Sequence, residues 1–358
     1  MAPSAITETV ATLSLKGEKK PEEQHQRPGS DLTPLEAISH GMVMPGKTRP
    51  NLVPSSIVDM AVSSQARGEL PFYIPTFHLL PANAALTRNQ GIPSFPSYAE
   101  ERRHVLLHMA ATFRFFARSG FTEGQSGHIS VRDPEFPGLM WMNPLGRHFG
   151  MLTAGDMVCL DIATGRVAGG NTSRPANAAG YLIHSAIHKR RPHNIHAVCH
   201  AHSNAGRAWS VFARPLEMLN QDVCNFHGAH AVYARYGGIV FGADEGEHIA
   251  EALGEHNKGV ILMNHGLLTV GDTVDEAGFM FGLMDRACTM QLQVEAAAAN
   301  GLPKQIISDD EAAHNFKMAS EKNALYREAQ PDLEYEFEAA GGEDVLARGY
   351  DRLHTLSP

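Results

Sequence analysis

Twenty histidines are spread through this 358-residue chain, and three of them stand where apolar runs end. His200 and His202 close the run Ala197-Val198-Cys199. A strand alternates its faces, so the two imidazoles point the same way, about 7 Å apart at roughly 3.3 Å per residue. That spacing lets both reach one metal ion, although an isolated His-x-His pair says little in a chain so rich in histidine. A second run, Ile261-Leu262-Met263-Asn264, carries His265 at its end, followed by Gly266. Three histidines from two strand ends are the usual ligand count of a catalytic metal with an open position. Imidazole donors suit zinc, and also iron and manganese.

The elements that must hold these residues can be traced on either side. Ser97, with Glu100 three residues on, predicts a capped helix whose stripe is Val105, Leu106, Met109, Phe113 and Phe116. A glycine turn at Gly124-Gln125-Ser126-Gly127 enters a strand, with Ile129 and Val131 sharing one face. Met140-Trp141-Met142, Asp156 to Asp161 and Gly165-Arg166-Val167 read as further short strands. A helix over residues 177–190 buries Leu182, Ile183, Ala186 and Ile187, and Pro192 ends it. Residues 205–212 read as helix, Ala231-Val232-Tyr233 and Gly238-Ile239-Val240 as strands, 245–254 as helix, and 274–299 as one long helix. Hairpin-like strands mixed with helices indicate a layered α/β domain with a mixed or antiparallel sheet.

Composition narrows the function. The formal charge of −9 and a pI near 6.1 argue against a nucleic-acid footprint. No run approaches the roughly 18 apolar residues that span a bilayer, and the first residues lack a basic then apolar signal pattern. The four cysteines show no C-x-x-C spacing, which points to reduced thiols and a cytoplasmic protein. Residues 1–50 are polar and punctuated by Pro and Gly, so they read as disordered. Residues 51–95 read as an extended arm packing on the core, 96–300 as the folded domain, and 301–358 as a polar, acidic, partly helical tail. Within it, 309–327 can be helical and 330–358 carries little core signal.

Read together, Ser126-Gly127-His128-Ile129-Ser130-Val131-Arg132, Asn143-Pro144-Leu145-Gly146, Leu152-Thr153-Ala154-Gly155-Asp156, Ile183-His184-Ser185-Ala186-Ile187-His188, His200-Ala201-His202 and Asn264-His265-Gly266-Leu267 resemble the class II aldolase/adducin family. The resemblance covers about residues 95–299. It implies a three-layer α/β/α domain with a central, largely antiparallel sheet, a homo-oligomer (a tetramer in many members) and a small-molecule substrate, while the charge and the lack of a long apolar run leave neither nucleic acid nor membrane as an expected partner. It also implies a divalent metal, zinc first, on His200, His202 and His265, and substrate contacts at Ser126, Gly127, Asn143 and Gly146.

The chain departs from the family's aldolases at several positions. Their catalytic Glu lies one helical turn before the position of His184, where this chain has Gly180. The phosphate-holding Ser pair before that Glu is Ala178-Ala179, the Thr/Ser before the second glycine is Leu145, and the Asn after the first glycine is His128. The aldolases' catalytic Tyr falls at Gln221. A phosphorylated sugar therefore fits poorly, and the chain resembles the adducin-like branch with its metal site kept.

These departures leave His128, His184 and Gln221 as the candidate catalytic groups, with His128, His184 or a water as base. His184 and His188 share one helix face. They read either as core histidines bonded to backbone or, for His184, as a supplement to the metal shell. Gln221 is equally suited to a substrate oxygen or to backbone. Arg132 reads as a strand-end residue in a salt bridge ahead of a substrate anchor, and Glu276 as an acidic residue favoured by its helix dipole ahead of a carboxylate supporting the His265 ligand. Three functions follow. One is a lyase performing retro-aldol cleavage, decarboxylation or epimerisation on a small unphosphorylated hydroxy-carbonyl or hydroxy-acid. Another is an iron(II) oxygenase on the same scaffold. The last is a non-catalytic adducin-like module, for which lost ligands and a basic tail would be expected.

Overall fold

The computed structural model describes residues 91–238 and 243–354. The expected N-terminal disordered region, all but the end of the arm, and most of the expected Gly238-Ile239-Val240 strand lie outside them. An eight-stranded sheet forms the middle layer, in the order β4-β3-β2-β1-β5-β8-β7-β6. Its strands are β1 (His128–Arg132), β2 (Leu139–Met142), β3 (Val158–Asp161), β4 (Val167–Gly170), β5 (Ala197–Ala201), β6 (His230–Tyr233), β7 (Gly259–Leu262) and β8 (Gly266–Gly271). Every pairing is antiparallel except β6 with β7. The expected largely antiparallel α/β/α sandwich is thus the observed fold.

Alternation along the strands divides the core in two. Ile129 and Val131 of β1 and Ala197, Cys199 and Ala201 of β5 join the cluster built on α1 (Tyr98–Arg118) and α5 (Val274–Ala299). Val198, Val260, Leu262, Leu268 and Val270 join the opposite cluster, with Ile183 and Ile187 of α2 (Ala178–Arg190) and Ile249 and Leu253 of α4 (Ala243–Leu253). Caps fix where the helices start. Ser97 Oγ accepts from Glu100 N at 3.3 Å, Thr273 Oγ1 accepts from Glu276 N at 3.1 Å, and Asn177 Oδ1 accepts from Gly180 N at 2.9 Å. The short α3 (Asn204–Ser210) follows β5 directly.

The polar C-terminal segment is more ordered and more buried than its composition suggests. It forms α6 (Asp309–Ala319), α7 (Lys322–Ala339) and the short α8 (Glu343–Leu346), in place of one helix over 309–327. A capping box at Ser308 and Glu311 starts α6, and Glu321 caps α7. Leu325, Ala329 and Leu333 recur every four residues and are buried against α1 and α5. A stripe of one apolar residue per turn is too sparse to stand out in an acidic sequence, yet it suffices for one-sided packing. The last residues of the expected arm pack there too: Ile92 N donates to Asn323 Oδ1 at 3.0 Å. Among the described residues all four cysteines are free and buried, and no helix is long and apolar enough to cross a bilayer.

Candidate metal centre

The end of one strand and the turn between two others bring the histidines together. His200 is the fourth residue of β5, on the face turned to α2, and His202 lies just past the strand end. His265 sits in the short turn joining β7 to β8, where Asn264 adopts φ 56°, a left-handed conformation that asparagine tolerates. The ring centroids stand 5.1 Å apart for His200 and His202, 4.7 Å for His200 and His265, and 5.0 Å for His202 and His265. One nitrogen of each ring falls within 4.8 Å of the others. Small rotations would bring three such donors onto one ion. His200 Nδ1 lies 2.8 Å from the Leu267 carbonyl. A carbonyl only accepts, so Nδ1 carries the proton and Nε2 keeps its lone pair for a ligand bond.

Electrostatics keeps the cluster ready for a cation. Burial holds His200 well below the ordinary imidazole value, helped by its neighbours His265, His128 and His202. Burial lowers His202 to about 4, and lowers His265 also. All three are therefore neutral near pH 7, the form that binds metal. Among the described residues no carboxylate joins the three as a fourth metal-ligating group. The donor set is all-imidazole, which fits zinc or iron and argues against magnesium or calcium.

His128 stands beside this cluster. It pairs in register with His200 across β1 and β5, and the two rings are 4.9 Å apart. Its place depends on Gly180: a Cβ there would lie 2.6 Å from His128 Cγ. The histidine ring therefore fills the space into which a side chain at residue 180 would project. Gly127, at φ +95°, allows the chain to turn past the site, because a Cβ would meet Phe149 Cζ at 2.9 Å and the His200 carbonyl at 3.2 Å.

Behind His128 runs a buried polar chain. His128 Nδ1 is 2.8 Å from His184 Nε2, His184 Nδ1 is 2.8 Å from Ser130 Oγ, and Ser130 Oγ is 2.9 Å from His188 Nε2. Arg132 Nη2 ends it, 3.4 Å from His188 Nδ1 and donating to the His188 carbonyl at 2.8 Å. Burial keeps His128 and His184 well below the ordinary range and lowers His188 to about 3. His184 thus lies one residue removed from the three histidines, and His188 meets the Ser130 and Arg132 side chains as well as a backbone partner of the expected kind, the Ile195 carbonyl.

Arg132 corrects a second expectation. It makes no salt bridge among the described residues: its Nη1 donates to the Pro137 carbonyl at 2.5 Å, and its Nε is buried without a partner. The strand end that would have carried an acidic partner carries Asp133, which instead accepts from Arg102 and Trp141. Ser130 was missed by sequence reasoning. The signal available was alternation, since Ile129 and Val131 on one face leave His128, Ser130 and Arg132 on the other, opposite His184 and His188 at i and i+4.

The remaining candidates are less central. Asn143 is buried, and its Oδ1 accepts from Ile129 N at 3.3 Å, tying the end of β2 to β1. Ser126 is half-buried in the turn beside Gly127. Gly146 is exposed, and its carbonyl accepts from Arg174 at 3.3 Å. Gln221 is exposed at the start of the 3-10 turn Asp222–Phe226 and makes no described hydrogen bond to the histidine cluster. Glu276 is buried in the first turn of α5, where an acidic residue was expected, and it accepts from Lys258 Nζ at 2.5 Å and from Asp272 N at 2.9 Å, so a pairing role adds to the dipole effect.

Known proteins match this arrangement. The family model "Class II Aldolase and Adducin N-terminal domain" matches residues 107–292. The 4-hydroxy-3-prenylphenylpyruvate oxygenase/4-hydroxy-3-prenylbenzoate synthase of Streptomyces roseochromogenus subsp. oscitans is 41% identical over 216 residues, 60% of this chain and 76% of that protein. Decarboxylase NovR of Streptomyces niveus is 41% identical over 215 residues, 60% of this chain and 77% of its own length. Among solved structures, an L-fuculose 1-phosphate aldolase from Glaciozyma antarctica PI12 is 35% identical with a TM-score of 0.65, covering 72% of this chain and 97% of that one. This chain belongs to the class II aldolase and adducin family.

Proposed function

We propose that the protein is a metal-dependent enzyme that breaks a carbon–carbon bond beside a carbonyl in a small, unphosphorylated oxo or hydroxy acid, with decarboxylation or retro-aldol cleavage as the reaction class. The observation that carries this reading is a three-imidazole cluster, His200 buried and His202 and His265 half-buried, with His128 beside it and no carboxylate at residue 180. His200, His202 and His265 would hold the ion, which when bound supplies Lewis acidity next to the electrons released by bond cleavage. His128 would hydrogen-bond a substrate oxygen. Gly127, with its neighbour Ser126, gives backbone access to the same edge of the sheet. Ala178-Ala179 at the start of α2 offers no hydroxyl for a phosphate, which supports an unphosphorylated substrate. The relatives named as a decarboxylase and as a prenylphenylpyruvate oxygenase point to an aryl-substituted 2-oxo or 2-hydroxy acid.

A second reading is an iron(II) oxygenase on the same substrate class. It is favoured by the all-imidazole donor set, which accepts iron, and by the relative whose name includes an oxygenase. A non-catalytic module is disfavoured by the retained histidines. Elemental analysis of protein purified without chelators, followed by incubation with aryl 2-oxo and 2-hydroxy acids with and without O₂, tests these readings. Zinc and O₂-independent product formation support the lyase. Iron and O₂ consumption support the oxygenase. Absence of both metal and turnover overturns the enzymatic reading.

A further inference from the structure

The chain His128, His184, Ser130, His188, Arg132 has a direction, and Arg132 is the member that cannot reverse it. A guanidinium has only N–H donors and keeps its proton. Where Nη2 faces His188 Nδ1 at 3.4 Å, that nitrogen must offer a lone pair. His188 is neutral, so its proton is then on Nε2, donated to Ser130 Oγ at 2.9 Å. Ser130 has one hydrogen, which goes to His184 Nδ1 at 2.8 Å. His184 in turn bears its proton on Nε2 and donates to His128 Nδ1 at 2.8 Å. That leaves the His128 proton on Nε2, the remaining nitrogen of the ring whose neighbours are His200, His202 and His265.

We propose that Arg132 sets the polarity of this buried relay, so that His128 meets the site as a neutral imidazole presenting Nε2–H. It is then a hydrogen-bond donor for an anionic substrate oxygen, with His184, Ser130, His188 and Arg132 as positioning residues. The field supports the same orientation. Arg132 is buried, and among the described residues it has no carboxylate in ion-pair contact, so its charge is neutralised by none and is free to align the dipoles next to it. Each donated bond passes that alignment on, and the positive end of the last dipole faces the site, as an oxyanion donor requires. The opposite polarity has one identifiable sponsor, the Ile195 carbonyl, a backbone hydrogen-bond partner of His188 that only accepts. In that arrangement His128 would present a lone pair and act as a base or a fourth ligand.

The donor role toward substrate rests on the enzymatic reading above, whereas the tautomer does not, so the two fail separately. The test is nitrogen NMR of metal-free protein labelled with ¹⁵N-histidine, with the His128 signals assigned by their loss in His128→Gln. The expected result is a protonated Nε2 and an unprotonated Nδ1 in His128. Arg132→Met should mix or invert these two signals, and Arg132→Lys, which restores a permanent donor, should return them toward wild type. If Arg132→Met does not fold, Ser130→Ala breaks the relay at its middle and should scramble the same signals. An unprotonated His128 Nε2 in wild type overturns the proposal. So does a tautomer that stays unchanged in Arg132→Met or, where that variant does not fold, in Ser130→Ala.

Discussion

A Cβ on residue 180 would fall 2.6 Å from Cγ of His128, so the histidine and the glycine occupy one volume between them. An unencumbered helical Gly→Ala change gains up to about 1 kcal/mol. Here the sign should reverse: Gly180→Ala is expected to cost about 1–3 kcal/mol, the usual penalty for overpacking a full core. Thermal or urea unfolding checks it. Gly180→Glu alone should yield no sugar-phosphate aldolase, because the new carboxylate must displace His128. Appearance of that activity in the single variant would show the overlap to be easily relieved.

Removing the imidazoles should remove the metal and leave the fold. His200→Ala/His202→Ala is expected to abolish bound metal by elemental analysis. A ligand present at 100 times its Kd stabilises the folded state by about 2.7 kcal/mol. Added zinc should therefore raise the melting temperature of the wild type and leave the double variant unmoved. Metal retained at the wild-type ratio in the variant would sink the three-ligand assignment.

Acid should destabilise the metal-free protein through its buried histidines. Burial lowers His188 to about 3, and lowers His104, stacked on His108, to about 4. Both sit below the ordinary 6.5, so between 6.5 and these values the unfolded chain binds protons that the folded chain refuses. Their neutral form is tolerated at no cost above pH 6.5, and stability is lost as pH falls below it, by about 1.4 kcal/mol per pH unit for each histidine. Unfolding free energies measured from pH 7 to 5 should show this slope, and His188→Gln should flatten it by about one histidine's share.

The C-terminal helices should prove essential to the domain. Deleting residues 321–358 removes Leu325, Tyr326, Ala329 and Leu333, all buried, and takes Gln330 Nε2 from Asp275, to which it donates at 3.0 Å. Each large apolar side chain contributes about 1.5–3 kcal/mol when buried, and a domain's total is only about 5–15 kcal/mol. The truncated chain is expected to be insoluble or to melt well below the full chain. An unchanged melting curve would show the packing to be dispensable.

What could be read in advance followed from local periodicity. The alternation of His200 and His202, the third histidine before Gly266, and the helix at 274–299 with its boundaries were all visible along the chain. The His128–Gly180 exclusion joins residues 52 positions apart, and a glycine shows only that a side chain is missing, never what takes its place. Arg132 misled for a related reason: a basic residue beside Asp133 suggests an ion pair, whereas pleating sends the two to different partners. The sparse stripe of α7 was hidden by the acidic residues around it.

The relay also bears on how the chain finds its register. His128 and Ser130 make their side-chain hydrogen bonds with α2, and so does Arg132 through Nη2. A one-residue slip of β1 would turn all three into the hydrocarbon of Phe113, Phe116 and Phe281 and bring Ile129 and Val131 against His184 and His188. Each polar group stranded in that way costs about 1–3 kcal/mol. The same five residues that would orient a proton therefore act during folding as a ratchet, admitting one alignment of the central strands and rejecting its neighbours.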